Sequence, residues 1–441
     1  MLRRYRRRSL GLAALARSGS AGRLASETGS ARFFGGGFFN LMGHFFMHRT
    51  FGVGLSSGVL TSLVVFAFAT TSGSTVLAGP IVAIDTSAFM DSASHWRTIK
   101  QPERIMQANA QQAGYASEQV REIAANILLF QRDNGGWPKD YDMLAVLTEP
   151  QRALIRNTRA NADTSYDNHT THPQVAYMAR AFVVTGDESY RTACLRGVEF
   201  MLASQYANGG FPQWWPKAGT IAQRITFNDG VMIGILSVLK DAADGAAHFA
   251  WLEEPWRRRA AAAVERGTTC LVKMQIMAEG RRTGWGQQHD EKTLATVGAR
   301  TFEMPCISPA DTTEVVAFMM RLAKPSPEVV GAIEAAVGWL KKVQLNGIRV
   351  ERVAAPKSEF ARHTTEHDVV VIADAKAAPL WARMVEPGTD RPIFASRDGV
   401  KVYSLAEVDR ERRTGSGWYV GSPRRLLAVD YPQWQAQWAQ P

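Results

Sequence analysis

Apolar residues return every three or four positions along most of the chain from Ser117 onward. The segments "SEQVREIAANILLFQ", "HPQVAYMARAFVVTG", "ESYRTACLRGVEFMLASQ", "DGVMIGILSVLKDAADG", "RRRAAAAVERGTTCLVKMQ", "DTTEVVAFMMRLAK" and "SPEVVGAIEAAVGWLKKVQ" all share this spacing. It predicts amphipathic α-helices, and the Pro and Gly clusters between them mark the connections. The last hundred residues lose the pattern: "DVVVIAD" and "PIFASRDGVKVY" read as short strands.

The helices end in a recurring way. "ANILLFQRDNGGWPKDY" carries Gln131, Gly135-Gly136 and Trp137; "SQYANGGFPQWWP" carries Gln205, Gly209-Gly210 and Phe211; "CLVKMQIMAEGRRTGWGQQHD" carries Gln275, Gly284 and Trp285; "WLKKVQLNGIRV" is a weaker echo with Gln344 and Gly347. The glutamines are 74, 70 and 69 residues apart. A sustained period of that length marks a repeat architecture, here two helices and a loop per repeat. Stacked around a common axis, such hairpins form an α/α toroid with equivalent loops gathered at one end. The expected fold is therefore all-α, an incomplete α/α barrel with a few short strands near the C-terminus. The glycines allow a tight turn after each helix, and the aromatic residue wedges into the neighbouring repeat.

Composition changes this picture mainly at the N-terminus. Residues 1–46, basic and rich in Ser, Gly and Ala, have no periodicity and read as disordered or as lying upstream of the true start. From Met47 to Gly79 a basic head, an apolar run centred on Val59 to Ala69 and small residues with two cleavage patterns, Ala67-Phe68-Ala69 and Val76-Leu77-Ala78, follow the layout of a secretory signal. A retained membrane anchor is the competing reading, although the apolar run falls short of the roughly 20 residues a span needs. Residues 80–441 are then expected to form a single domain, secreted or periplasmic and monomeric. Of the net charge of +10, +8 belongs to residues 1–50, so the basic balance carries no argument for a nucleic-acid partner. Three cysteines, Cys194, Cys270 and Cys306, make no even disulfide framework.

A toroid does not name a chemistry; the polar residues must. "ADTSYDNHTTHPQ" gathers Asp163, Asp167, Asn168, His169 and His172 before one helix, and "ITFNDGVM" places Asn228 and Asp229 before another. Helix capping explains one acid at such a position but not a pile of acids, amides and hydroxyls. Two acids facing one cleft suit a hard cation such as calcium. The C-terminal half supplies Arg300, Arg383, Arg397, Arg410, Arg412 and Arg413 in Trp- and Pro-rich loops, the planar forks that recognise carboxylates or phosphates. No phosphate loop or dinucleotide fingerprint is present. An acidic side, a basic side and aromatic platforms together suggest an anionic sugar polymer.

The run "NILLFQRDNGGWPKDYD", "TSYDNHTT", "FMLASQYANGGFPQWWP", "ITFNDGVM", "WGQQHDEKTLATVGARTFE", "PLWARM", "RPIFASRDG" and "ERRTGSGWY", between Gln101 and Tyr419, resembles family 10 of the polysaccharide lyases, the pectate lyases with an incomplete α/α barrel. The resemblance implies cleavage of polygalacturonate (pectate) by β-elimination, with Ca2+ between enzyme acids and substrate carboxylates. It implies Asp167 and Asp229 as the metal-binding acids, Arg300 as the catalytic base, and Arg383 and Arg397 as carboxylate-binding residues. Asn168, Asn228, Trp214 and His289 complete the candidate substrate-binding set. Departures from the family pattern fall at Ser416, Ser165-Tyr166 and "ISPADTTE", and bear on subsites and product length.

The chemistry suits these residue types, because cations aimed at the carboxylate stabilise the charge that develops when the neighbouring proton leaves. An arginine base needs its pKa lowered or an alkaline working pH, which leaves His289 and Lys292 as alternatives. Two other readings stay open: a terpenoid cyclase, against which stands the lack of an Asp-rich motif, and a pectin-binding protein without catalysis.

Overall fold

The structure, a computed structural model, describes residues 82–99, 101–217, 219 and 221–438. The expectations for residues 1–46 and 47–79 lie outside these residues. All described residues fall within one unit, Val76–Pro441.

Among the described residues nine helices carry the repeat part: α1 (Met90–Thr98), α2 (Val120–Phe130), α3 (Glu149–Arg156), α4 (His172–Thr185), α5 (Glu188–Ser204), α6 (Val231–Asp244), α7 (Glu254–Met274), α8 (Pro309–Met320) and α9 (Pro327–Lys342). Helices α4, α6 and α8 pack side by side as an inner row, and α2, α5, α7 and α9 form an outer row against them. The architecture is the incomplete α/α barrel that the period of about 70 residues predicts. The inner helices are apolar on most faces: Val175, Met178, Ile235, Leu236, Val315 and Met319 are all fully buried, as expected for a helix covered on both sides.

The repeated glutamine has a structural explanation. Gln131 Nε2 donates to Gly135 O and to Ala193 O on α5, both at 2.9 Å. Gln205 Nε2 donates to Gly209 O at 3.0 Å and Ala263 O on α7 at 2.8 Å, and Gln275 Nε2 to Thr283 O at 2.8 Å and Ala332 O on α9 at 2.9 Å. Each amide thus fastens its own loop to the next outer helix. Gly135 and Gly209 sit at φ 96° and 97°, and a Cβ on either would overlap the carbonyl of Arg196 or Arg266, so glycine is required on two counts. The tryptophans staple too: the indole N–H of Trp137 donates to Ile127 O at 2.7 Å and that of Trp285 to Leu271 O at 2.8 Å.

The fourth repeat departs from the expected short strands. A long antiparallel hairpin of β6 (Ile348–Glu359) and β7 (Thr364–Ala373) is inserted directly after Gln344, with its register shifted between Ala354 and Ser358. Trp381 beyond it donates to Leu340 O at 2.7 Å, the staple of the earlier repeats displaced by the insertion. The remaining strands pair in twos or threes: β1 (Ile225–Thr226), β2 (Met277–Ala278), β3 (Arg281–Arg282), β4 (Gln288–His289), β5 (Thr296–Val297), β8 (Trp381–Ala382), β9 (Phe394–Ala395), β10 (Lys401–Val402) and β11 (Tyr419–Val420). Cys194, Cys270 and Cys306 are free and buried. No described helix is long and apolar enough to cross a membrane.

Candidate active site

The loops that follow the outer helices lead to the N-termini of the inner ones, and there the candidate acids meet. Asn168, His169, Thr171 and Asp229 all have positive φ, between 51° and 69°, a left-handed conformation that costs non-glycine residues energy and concentrates at functional sites. His169 N donates to Asp229 O at 3.2 Å and ties the two loops together. Asp229 makes no capping bond to helix α6, whose N-cap is Gly230; its carboxylate accepts instead from Asn228 Nδ2 at 2.6 Å. Asp167, 6% exposed, accepts from Gln213 Nε2 at 2.8 Å on one oxygen and from the Lys139 ammonium on the other. Burial, and then the adjacent Asp167 carboxylate, push Asp229 up to about 7, the behaviour of two acids that share one site.

Such a pair fits a hard cation, since the donor set is oxygen and a positive ion relieves the repulsion that raises Asp229. Among the described residues no group of three or more His, Cys, Asp or Glu side chains could hold a metal ion without help.

A three-stranded sheet, β1–β4–β5, links Asp229 to the arginines: β1 runs into Asn228 and Asp229, and β5 runs toward Arg300. Arg300 is 61% exposed at its side chain and bonded at two points to Glu303, Nε to Oε2 at 2.8 Å and Nη2 to Oε1 at 2.5 Å. Arg383 Nη2 reaches the same Oε1 at 3.2 Å. Arg397 is likewise paired at two points with Glu411, at 3.0 and 2.8 Å. The ring of Phe302 joins the group: the guanidinium carbons of Arg300, Arg397 and Arg412 lie 4.8, 5.4 and 4.2 Å from its centre, distances at which cation–π attraction offsets part of their mutual repulsion. Hydrogen bonding to Glu303 raises the Arg300 pKa, and Asp229 and Asp167 raise it further. Burial lowers Arg412, and the charges of Arg397, Arg300 and Arg383 add to that effect, against the pull of Glu411.

The other expected residues divide. Trp214 lies beside Lys139, the ion-pair partner of Asp167, its ring 5.3 Å from that ammonium and 4.7 Å from that of Lys217, and Asn228 donates to Asp229. Asn168 is buried, and its amide is spent on Asp140 Oδ1 at 2.6 Å and on His95. His289 is fully buried: Nε2 accepts from Gly286 N at 3.0 Å and Nδ1 donates to Leu294 O at 2.8 Å. It fastens the sheet that carries Asp229 and Arg300, has no free lone pair, and is pushed down to about 4 chiefly by burial. It lies beneath the site, without access to a substrate. Lys292 is exposed in the loop after β4. Asp163 pairs with the buried Arg132 at 2.6 Å and belongs to the scaffold.

Sequence reading missed Lys139, Gln213, Phe302, Glu303 and Glu411 as site residues. Glu303, three positions after Arg300, was within reach as an ion-pair partner; Gln213 and Glu411 have no local signal. A cavity of about 670 Å³ lies elsewhere, lined by Lys240, Thr268 and Lys324, and holds none of the residues above.

Residues 131–427 match the family described as pectic acid lyase. The chain belongs to the pectic acid lyase family. Among solved structures it is similar to a family 10 polysaccharide lyase from Cellvibrio cellulosa, at 26% identity and TM-score 0.60, covering 71% of this chain and 91% of that one. A mutant of that enzyme, solved in complex with trigalacturonic acid, matches equally well, with 92% of its chain covered. A search of curated proteins finds no match.

Proposed function

We propose that the protein is a pectate lyase that cleaves polygalacturonate by calcium-assisted β-elimination and releases unsaturated oligogalacturonates. The observation that carries this reading is the meeting of a mutually repelling acid pair, Asp167 and Asp229, with the arginines gathered around Phe302. Family membership and the trigalacturonic acid complex of the similar lyase support it.

Asp167 and Asp229 would hold Ca2+, which supplies positive charge next to the uronic carboxylate of the substrate. Arg383 and Arg397 bind substrate carboxylates through their free N–H donors, and Trp214 gives a sugar ring a flat apolar face to stack on. Arg300 takes the proton from the carbon next to the carboxylate. The electron pair left behind forms the carbon–carbon double bond, the glycosidic C–O bond breaks, and the departing oxygen takes up a proton. Because Glu303 holds Arg300 charged, the base step depends on an alkaline medium or on substrate and cation relieving that hold. Neutralising Asp167 and Asp229 acts in that direction, since both raise the Arg300 pKa.

The segment 47–79 is, on this reading, a signal that delivers the enzyme to the periplasm or the medium, and N-terminal sequencing of exported protein checks it. The function itself is tested by incubating purified protein with polygalacturonate and following the ultraviolet absorbance of the unsaturated product. Binding to the polymer with no absorbance gained at any pH or calcium level would leave a pectin-binding protein instead.

A further inference from the structure

Lys139 lies two residues past the stapling Trp137, in a turn completed by Asp140 at φ 61°. Its ammonium is ion-paired with Asp167 Oδ2, has Asp140 Oδ2 at 3.7 Å and faces the Trp214 ring at 5.3 Å. Gln213 takes the other Asp167 oxygen. Both oxygens of the buried Asp167 are therefore engaged, one of them by a full positive charge. A hard divalent cation would draw on the same carboxylate, so the two cations compete for its charge.

We propose that Lys139 is a tethered counter-ion that competes with calcium for Asp167 and shifts toward Asp140 and the face of Trp214 when calcium binds. The ion pair screens a buried carboxylate that would otherwise be costly to leave alone. Competition also keeps calcium weakly held by the enzyme alone, until substrate carboxylates add ligands, and so couples uptake of the ion to uptake of the polymer. The proposal rests on the calcium reading of the acid pair. Its rival is that Lys139 orients Asp167 for the ion, and the two ideas predict opposite effects of removing the charge.

Calcium is titrated calorimetrically into the full-length protein and into Lys139→Met and Lys139→Arg, without polymer. Competition predicts a Kd lower by on the order of ten-fold in Lys139→Met, the scale of one partly buried ion pair, and a near-normal Kd in Lys139→Arg. An unchanged or higher Kd in Lys139→Met overturns the proposal while leaving the calcium site intact; no calcium binding by Lys139→Met, in which the competing charge is gone, overturns the proposal and the calcium reading together. A second measurement needs no variant. In the unchanged protein, calcium should raise acetic anhydride labelling of Lys139 several-fold relative to the exposed Lys292, read by peptide mass spectrometry, and labelling that stays level or falls overturns the proposal.

Discussion

Glu303 grips Arg300 through both Nε and Nη2, at 2.8 and 2.5 Å, and this two-point bond is the largest influence raising the arginine's pKa. The carboxylate aims the guanidinium and at the same time opposes its use as a base. Glu303→Gln keeps the shape and removes the charge. The alkaline rise of the reaction rate should then move to lower pH, by about one unit for each 1.4 kcal/mol of interaction lost. A pH–rate profile of the variant beside the unchanged enzyme checks this, and an unmoved rise would separate Glu303 from the proton-removing step.

The same carboxylate predicts an acid response of stability. Burial alone would raise Glu303, but hydrogen bonds from Arg300 and the charges of Arg300 and Arg383 outweigh it, so its pKa is lowered in the folded protein. A group lowered by folding stabilises fully above its unfolded value, about 4.3 for Glu, and loses that contribution as pH falls through the folded value. Thermal melts taken from about pH 6 downward should therefore show the unchanged protein losing more Tm than Glu303→Gln. Parallel losses would mean that the ion pair contributes nothing net.

The glutamine staples make a graded prediction about folding. Gln131→Leu and Gln205→Leu each leave two carbonyls without their donor, and each should cost about 1–3 kcal/mol in urea denaturation. Gln344→Leu should cost far less, because among the described residues its amide reaches the neighbouring Asn346 side chain and no outer helix. Equal costs at all three positions would break the link between the motif and the loop-to-helix bond.

That motif was legible because a helix end, a glycine turn and an aromatic wedge are local events that repeat with the hairpin. Trp381 was not, since the β6–β7 insertion moves it 37 residues beyond Gln344, and the first strand of that hairpin hides behind Pro356 and the helical text before it. At the site, the chemistry showed through residue type: acids before helices and arginines in apolar loops. Roles that depend on which way a side chain turns did not show. Asn168 and His289 read as substrate contacts, yet they turn inward and hold the loops. Lys139 carries no local signal beside its Trp-Pro turn, and only the fold brings it to Asp167.

Removal of the ion gives the fourth prediction. A chelator should abolish lyase activity and added calcium restore it, because Asp167 and Asp229 repel each other at the centre of the site. Asp229→Asn relieves that repulsion and leaves one carboxylate fewer for the cation, so calcium binding should weaken in calorimetry while the fold is kept. Full activity in excess chelator would take the metal out of the reaction.

The last prediction isolates the base. If Arg300 removes the proton, Arg300→Lys should keep the fold and some affinity for the polymer while turnover falls by on the order of 10²-fold or more, the scale of positioned acid–base catalysis. Lysine keeps the charge, so a fall of that size reports lost fork geometry rather than lost charge. Arg383→Ala should act differently and raise KM, because a carboxylate it holds is present in the ground and transition states alike. The unchanged enzyme should speed up toward alkaline pH as the guanidinium approaches deprotonation. Near-normal turnover of Arg300→Lys at every pH would exclude Arg300 as the base. With His289 buried in strand β4 and both its ring nitrogens hydrogen-bonded, the search would then pass to Lys292.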